Sequence, residues 1–229
     1  MKNKKSHLSL IVICLFVQFL NAQDWGNLER FKQENAEVMT NKLFKNSIVF
    51  MGNSITEGWL KHHPEFFKGK PYINRGISGQ TTPQMLLRFR QDVINLKPSA
   101  VVILAGINDI AQNTGPITLE MIADNIKSMT ELAKANHIKV ILCSVLPAID
   151  FPWRKGLEPA EKVVKLNALI KSYAKESNSV YVDYFAAMAD ESNALKAELG
   201  IDGVHPNTQG YLVMEPLVEE GIKTALNKN

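Results

Sequence analysis

Apolar and polar positions along the chain fall into two alternating patterns. Short continuous apolar runs occur at residues 48–51, 72–74, 100–105, 139–145 and 180–183. The third reads Ala-Val-Val-Ile-Leu-Ala, the composition of a strand covered on both faces. Between these runs lie segments in which apolar residues recur every three or four positions. Residues 82–95 carry Met85, Leu86, Phe89, Val93 and Ile94, with Pro83 in the first turn. Residues 118–135 place Leu119, Ile122, Ile126, Met129 and Leu132 on one face, and residues 159–177 do so with Val163, Leu166, Leu169, Ile170 and Tyr173. A helix over 208–226 closes the chain, and one around 25–39 packs near its start. Strands alternating with helices predict an α/β fold: a three-layer α/β/α sandwich with a central parallel sheet of about five strands, right-handed crossovers and a doubly wound order. Residues 146–158, with Pro147, Pro152, Trp153 and Gly156, are the longest irregular stretch. Long loops in compact domains are often functional.

The first 22 residues differ from the rest. Lys2, Lys4 and Lys5 precede an apolar run from Leu8 to Leu20, and Asn21-Ala22 follows. This is the layout of a secretory signal peptide cleaved after Ala22, too short to span a bilayer. Residues 23–229 then form one domain, secreted or periplasmic, with no stable membrane insertion after cleavage. Ile13 before Cys14 is too bulky for a lipidation site.

Charge changes the picture once the leader is set aside. Residues 1–22 hold three lysines and no acid, so 23 of the 26 Lys and Arg remain against 23 Asp and Glu. A balanced chain without a basic patch excludes a nucleic-acid partner. Cys143 is the one cysteine beyond residue 22, within an apolar run, and is expected to be buried. Stability must then come from packing rather than a disulfide.

Residues with chemical potential gather just after the strands. Ser54 follows the first, Gly76 and Gly79 the second, Asn108-Asp109 the third. Asp202 stands three residues before His205, near the end of the chain. In a doubly wound sheet, ligands bind beyond the carboxyl ends of the strands, so these residues share one edge. A serine hydroxyl becomes a nucleophile when an oriented histidine takes its proton, and an acyl-transfer site also needs fixed donors for the oxyanion.

Other readings of the same residues are weaker. Ser54 with Glu57 also spells a helix capping box. Ser78 lies inside the glycine turn and reads as structural. Asp109 reads as a helix cap or loop brace, and Arg75 as a brace for the glycine turn. His62-His63 lacks a third ligand at usable spacing, so no metal site is expected. Gly52 to Gly58 has the wrong spacing for a phosphate loop, which disfavours a flavodoxin-like nucleotide binder. No Gly-x-Ser-x-Gly elbow surrounds Ser54. Trp59, Phe151, Trp153 and Arg154 are candidates for lining a substrate cleft or for packing.

Four blocks, in order, carry a family likeness: Gly52-Asn-Ser-Ile-Thr56, Asn74-Arg-Gly-Ile-Ser-Gly-Gln-Thr81, Gly106-Ile-Asn-Asp109 and Asp202-Gly-Val-His-Pro206. Together they resemble the SGNH (GDSL-type) hydrolases, which have a flavodoxin-like fold. The resemblance implies Ser54 as nucleophile, His205 as general base and then acid, and Asp202 as the group holding the imidazole. It implies an oxyanion hole made of the Ser54 N–H, the Gly79 N–H and the Asn108 amide, with no metal or organic cofactor. Asn53 stands where many members carry aspartate, and with Trp153 and Arg154 it is a candidate substrate contact. The implied activity is serine esterase action on short acyl, chiefly acetyl, esters of small molecules or glycans. Lysophospholipase, platelet-activating-factor-acetylhydrolase-like or thioesterase activity is the alternative among enzymes. A catalytically silent carbohydrate-binding module is the alternative outside them.

Overall fold

A computed structural model of the protein describes residues 24–228. The expected leader, residues 1–22, lies outside them. Five strands form one parallel sheet: β1 Ile48–Gly52, β2 Tyr72–Gly76, β3 Ala100–Leu104, β4 Lys139–Cys143 and β5 Val180–Val182. Their order is β2-β1-β3-β4-β5. Every residue of β1 and β3 is buried, as the unbroken apolar runs require for strands covered on both faces.

Helices α1 (Lys32–Thr40), α2 (Ser54–His62), α3 (Thr82–Asp92), α4 (Ile107–Ile110), α5 (Leu119–Ala135), α6 (Pro159–Glu176), α7 (Tyr184–Met188) and α8 (Thr208–Asn227) make the outer layers. One layer joins α3, α5 and α6, and the other α2, α7 and α8. The apolar stripes expected from the spacing face inward: Ile122, Ile126, Met129 and Ala133 on α5, Val163, Leu166, Ile170 and Ala174 on α6. Helix α8 approaches the sheet closely at Gly221, where a Cβ would lie 2.5 Å from Val182 Cγ2.

One expectation is corrected here, and one open alternative is resolved. The helix near the start begins at Lys32, not near Trp25. Side-chain amides of Gln84 and Gln80 capture the carbonyls of Trp25 and Gly26 at 2.8 and 2.9 Å, and Gln91 captures that of Leu28. Those carbonyls are thereby drawn out of any helical ladder. Trp59 and Phe151 are core residues rather than cleft residues, each 1 % exposed or less. The Trp59 ring stacks on Phe66 at 4.8 Å, and its indole N–H donates to Glu215 Oε1 at 3.0 Å.

In this strand order β1 is flanked by β2 on one side and β3 on the other. The connection from β1 leaves toward one edge and that from β2 returns to the other, which opens a crevice at the carboxyl ends of β1 and β3. The site lies there.

Candidate active site

Ser54 is the first residue of α2, immediately past β1. The helix is capped by Asn53, whose Oδ1 accepts from the Ile55 N–H at 3.0 Å. Ser54 therefore does not serve as the cap, and Glu57 does not close a capping box with it. The Glu57 carboxylate instead accepts from the Ser78 N–H at 2.9 Å and from the Ser78 hydroxyl, tying α2 to the glycine turn. Ser54's hydroxyl is left for another partner, and its N–H belongs to the helical turn that has no carbonyl four residues back. Gly76 permits this close approach, because a Cβ there would lie 2.1 Å from the Glu57 nitrogen.

Ser54 Oγ lies 2.9 Å from His205 Nε2, and His205 Nδ1 lies 2.8 Å from Asp202 Oδ2. Asp202 and His205 sit in a tight turn through Gly203, whose φ is +82°. Asp202 Oδ1 accepts from the Val204 and His205 N–H groups at 3.0 and 2.9 Å. Partial burial alone would raise this carboxyl, but the hydrogen bonds from the His205 backbone and ring and from Val204 outweigh it and hold it below the ordinary value. An anionic Asp202 accepts a hydrogen bond from Nδ1–H, which leaves Nε2 as an acceptor for the serine proton.

Gly79 and Asn108 complete the arrangement. Gly79 has φ +79°, a conformation that side chains strain to adopt. Asn108, on α4 past β3, is 3 % exposed, and its Nδ2 donates to the Gln80 carbonyl at 3.0 Å. An amide nitrogen carries two protons, so one fixes the side chain and one remains. Ser54, Ser78, Gly79, Asn108, Asn113, Trp153 and His205 together line an open cleft of about 360 Å³. The chemistry this supports is attack by an activated hydroxyl beside preorganised donors.

Of the three candidate substrate contacts, only Trp153 lines the cleft, with its ring 5.8 Å from that of His205. Arg154 is not among the lining residues: it donates to the Ala111 and Gln112 carbonyls at 3.2 and 2.5 Å and braces the loop after α4. Asn53 is 1 % exposed and lies behind Ser54, held there by its capping duty.

A family model of the GDSL-like lipase/acylhydrolase family matches residues 50–213. The chain belongs to that family. It is a carboxylic ester hydrolase, and its relatives agree. A GDSL-like lipase structure from Bacteroides thetaiotaomicron VPI-5482 is 51 % identical over 88 % of this chain and 99 % of that one, with a TM-score of 0.84. An acetylxylan esterase of Geobacillus stearothermophilus is 30 % identical over 66 % of this chain and 71 % of its own length. The esterase TesA of Pseudomonas aeruginosa is 24 % identical over 74 % and 84 % respectively.

Behind the site of this GDSL-type hydrolase lies a buried polar network. Arg88 on α3 is fully buried. It donates to Gln80 Oε1 at 2.6 Å, to the Gly52 and Arg75 carbonyls at 3.1 and 2.9 Å, and to Asp92 at 3.0 Å. It thus ties the ends of β1 and β2 to the glycine turn. Arg75 does not reach the turn itself: it donates to Asn35 and the Asn74 carbonyl, at 2.9 and 2.7 Å. Burial lowers Arg75 to about 10 despite nearby Asp92 and Glu34, and lowers Arg88 as well. One signal for this network stood in the sequence: Arg88 and Asp92, four apart, share the inward face of α3 with Met85 and Phe89.

Asp109 is a brace. Its Oδ1 and Oδ2 each accept from the Thr82 N–H at 3.0 Å, and Oδ1 takes the Thr82 hydroxyl at 2.6 Å, so it anchors the start of α3. Burial pushes its carboxyl up to about 6 although these hydrogen bonds pull it down. Cys143 is buried, which pushes its thiol up to about 12. His63 pairs with Glu215 at 2.6 Å, and His62 stacks on Tyr211. Among the described residues, no group of three or more His, Cys, Asp or Glu is placed to hold a metal ion.

Proposed function

We propose that this hydrolase is a serine esterase removing short acyl groups, acetyl above all, from carbohydrate esters. One observation carries the reading: the continuous chain Ser54 Oγ, His205 Nε2, His205 Nδ1, Asp202 Oδ2, with links of 2.9 and 2.8 Å, opening onto a cleft that Gly79 and Asn108 also line.

The reaction runs in two halves. His205 Nε2 takes the Ser54 proton as Oγ attacks the ester carbonyl carbon. The oxyanion accepts from the Ser54 N–H, the Gly79 N–H and the free proton of the Asn108 amide. The imidazolium, held by anionic Asp202, then protonates the departing alcohol oxygen, leaving an acyl group on Ser54. Water enters, His205 takes its proton, and a second tetrahedral intermediate collapses to release the acid and restore Ser54.

Two features support a carbohydrate alcohol. Trp153 offers a half-exposed indole beside His205, where a sugar ring stacks. The relative from Geobacillus stearothermophilus is an acetylxylan esterase. The basic and apolar start of the chain supports export to the periplasm or beyond, where acetylated glycans occur. Among the described residues, no helix is long and apolar enough to cross a membrane.

The test is the rate series on p-nitrophenyl acetate, butyrate and octanoate, beside acetate release from acetylated xylo-oligosaccharides. The reading expects the rate to fall steeply beyond about four carbons, and acetate to be released from the sugars. A preference for octanoate without sugar deacetylation would replace it with a lysophospholipase, platelet-activating-factor-acetylhydrolase-like or thioesterase activity.

A further inference from the structure

The binding surface does not end at the glycine turn. A second depression, of about 290 Å³, shares Ser78, Gly79 and Asn113 with the cleft and adds Asp24, Trp25, Asn27 and Gln84 among others. Its far wall is the segment 24–28, which the sequence pattern had assigned to a helix. That wall is fixed in place: Gln80, next to Gly79, holds the Gly26 carbonyl at 2.9 Å, and Gln84 holds that of Trp25 at 2.8 Å. Gln80 also serves the site. Gln80's carbonyl positions the Asn108 amide, and its side-chain oxygen receives Arg88. The wall and the oxyanion turn therefore form one hydrogen-bonded unit.

The lining identifies the ligand's chemistry. Neither depression is lined by lysine or arginine, so nothing there recognises an acidic group. Neither is lined by Leu, Ile, Val, Met or Phe, so nothing there favours an alkyl chain. What remains is amides and hydroxyls, the His205 imidazole in the cleft, the Asp24 carboxylate in the second depression, and one indole in each: Trp153, 46 % exposed, and Trp25, 44 % exposed. Flat apolar faces combined with amides, hydroxyls and a carboxylate acceptor suit pyranose rings, which present C–H faces and equatorial hydroxyls.

We propose that the second depression is a distal sugar subsite, in which Trp25 stacks on a glycan unit neighbouring the one that carries the scissile acetyl group. The proposal rests on the carbohydrate-ester reading above. It makes the enzyme selective for oligomers, because binding at a remote unit is gained only when the substrate is long enough to reach it.

The experiment compares kcat and KM for acetate release from acetylated xylose and acetylated xylotetraose in the wild-type protein, Trp25→Ala and Trp25→Phe. In wild type, kcat/KM is higher for the tetrasaccharide. Trp25→Ala lowers kcat/KM for the tetrasaccharide by roughly 5–30-fold, the loss of an aromatic anchor, chiefly through KM. Acetylated xylose is affected much less, and Trp25→Phe recovers most of the difference. An equal proportional loss on both sugars would make Trp25 a structural residue and overturn the subsite. So would no loss on the tetrasaccharide, or a loss confined to p-nitrophenyl octanoate. If wild type cleaves p-nitrophenyl acetate but neither sugar, the carbohydrate reading itself fails. If it cleaves both sugars equally well and Trp25→Ala changes nothing, the subsite alone fails.

Discussion

Asn108 Nδ2 donates to the Gln80 carbonyl at 3.0 Å, and this bond joins the end of β3 to the turn that follows β2. The amide is buried and has one proton committed, so its second proton points from a fixed frame. Donors that need no reorganisation are the effective ones at a developing oxyanion. Asn108→Ala is expected to lower kcat on p-nitrophenyl acetate by roughly 10²–10³-fold with little change in KM. Steady-state kinetics check this, and a loss confined to KM would remove Asn108 from the oxyanion hole.

In the proposed mechanism Asp202 contributes orientation and charge at once. Asp202→Asn keeps the size but offers an amide to Nδ1, so the tautomer with Nε2 as acceptor is no longer favoured. The expected drop in kcat is up to about 10⁴-fold, with the fold intact by circular dichroism. A loss of only a few-fold would show that the turn through Gly203, rather than the carboxylate, orients His205.

Arg88 and Asp92 form a salt bridge at 3.0 Å with both side chains essentially inaccessible. Removing one partner strands the other charge. Arg88→Ala is expected to cost about 3–5 kcal/mol of stability, read as a lower urea midpoint at unchanged slope. Activity falls with it because Gly52, Arg75 and Gln80 lose a common donor. A midpoint within error of wild type would contradict the account of this network.

Asp109 gives a pH dependence of known sign. Its carboxyl ordinarily titrates at 3.8 and is raised to about 6 in the fold by burial. Between those values the folded chain keeps a proton that the unfolded chain has released. Its contribution is therefore fully present below the unfolded value and is lost as the pH rises toward the folded one, by about 3 kcal/mol at most. Asp202 works in the opposite sense, since its carboxyl is lowered and its contribution is lost in acid. Comparison with Asp109→Asn isolates the first effect. Wild type should lose stability relative to the variant between about pH 4 and about pH 6 in urea titrations, and a constant difference would contradict this.

How far the sequence foretold the molecule depended on the range of the interactions. Residues 48–51 and 100–105 read as strands because their burial on both faces is written as unbroken apolar runs, and β1 and β3 lie there. Ser54, Gly79, Asn108 and His205 were readable as a group because a doubly wound sheet brings strand ends to one edge. Residues whose roles depend on distant partners were not. Trp25 to Leu28 reads as helical locally, but Gln80, Gln84 and Gln91 hold it otherwise across more than fifty residues. Asn53 and Arg154 looked free to meet a substrate, yet a helix N-terminus claims one and two loop carbonyls claim the other. The role of Arg88 was not legible, because three of its acceptors, Gly52, Arg75 and Gln80, come from outside its own helix.

The central claim is that Ser54 Oγ is the atom acylated in turnover. Treatment with a fluorophosphonate, followed by intact-mass and peptide mass spectrometry, tests it most directly. The account expects one adduct per chain, on the peptide containing Ser54, with esterase activity lost in step. It also expects neither adduct nor activity in Ser54→Ala. An adduct on Ser78, or undiminished hydrolysis of p-nitrophenyl acetate by Ser54→Ala, would contradict it.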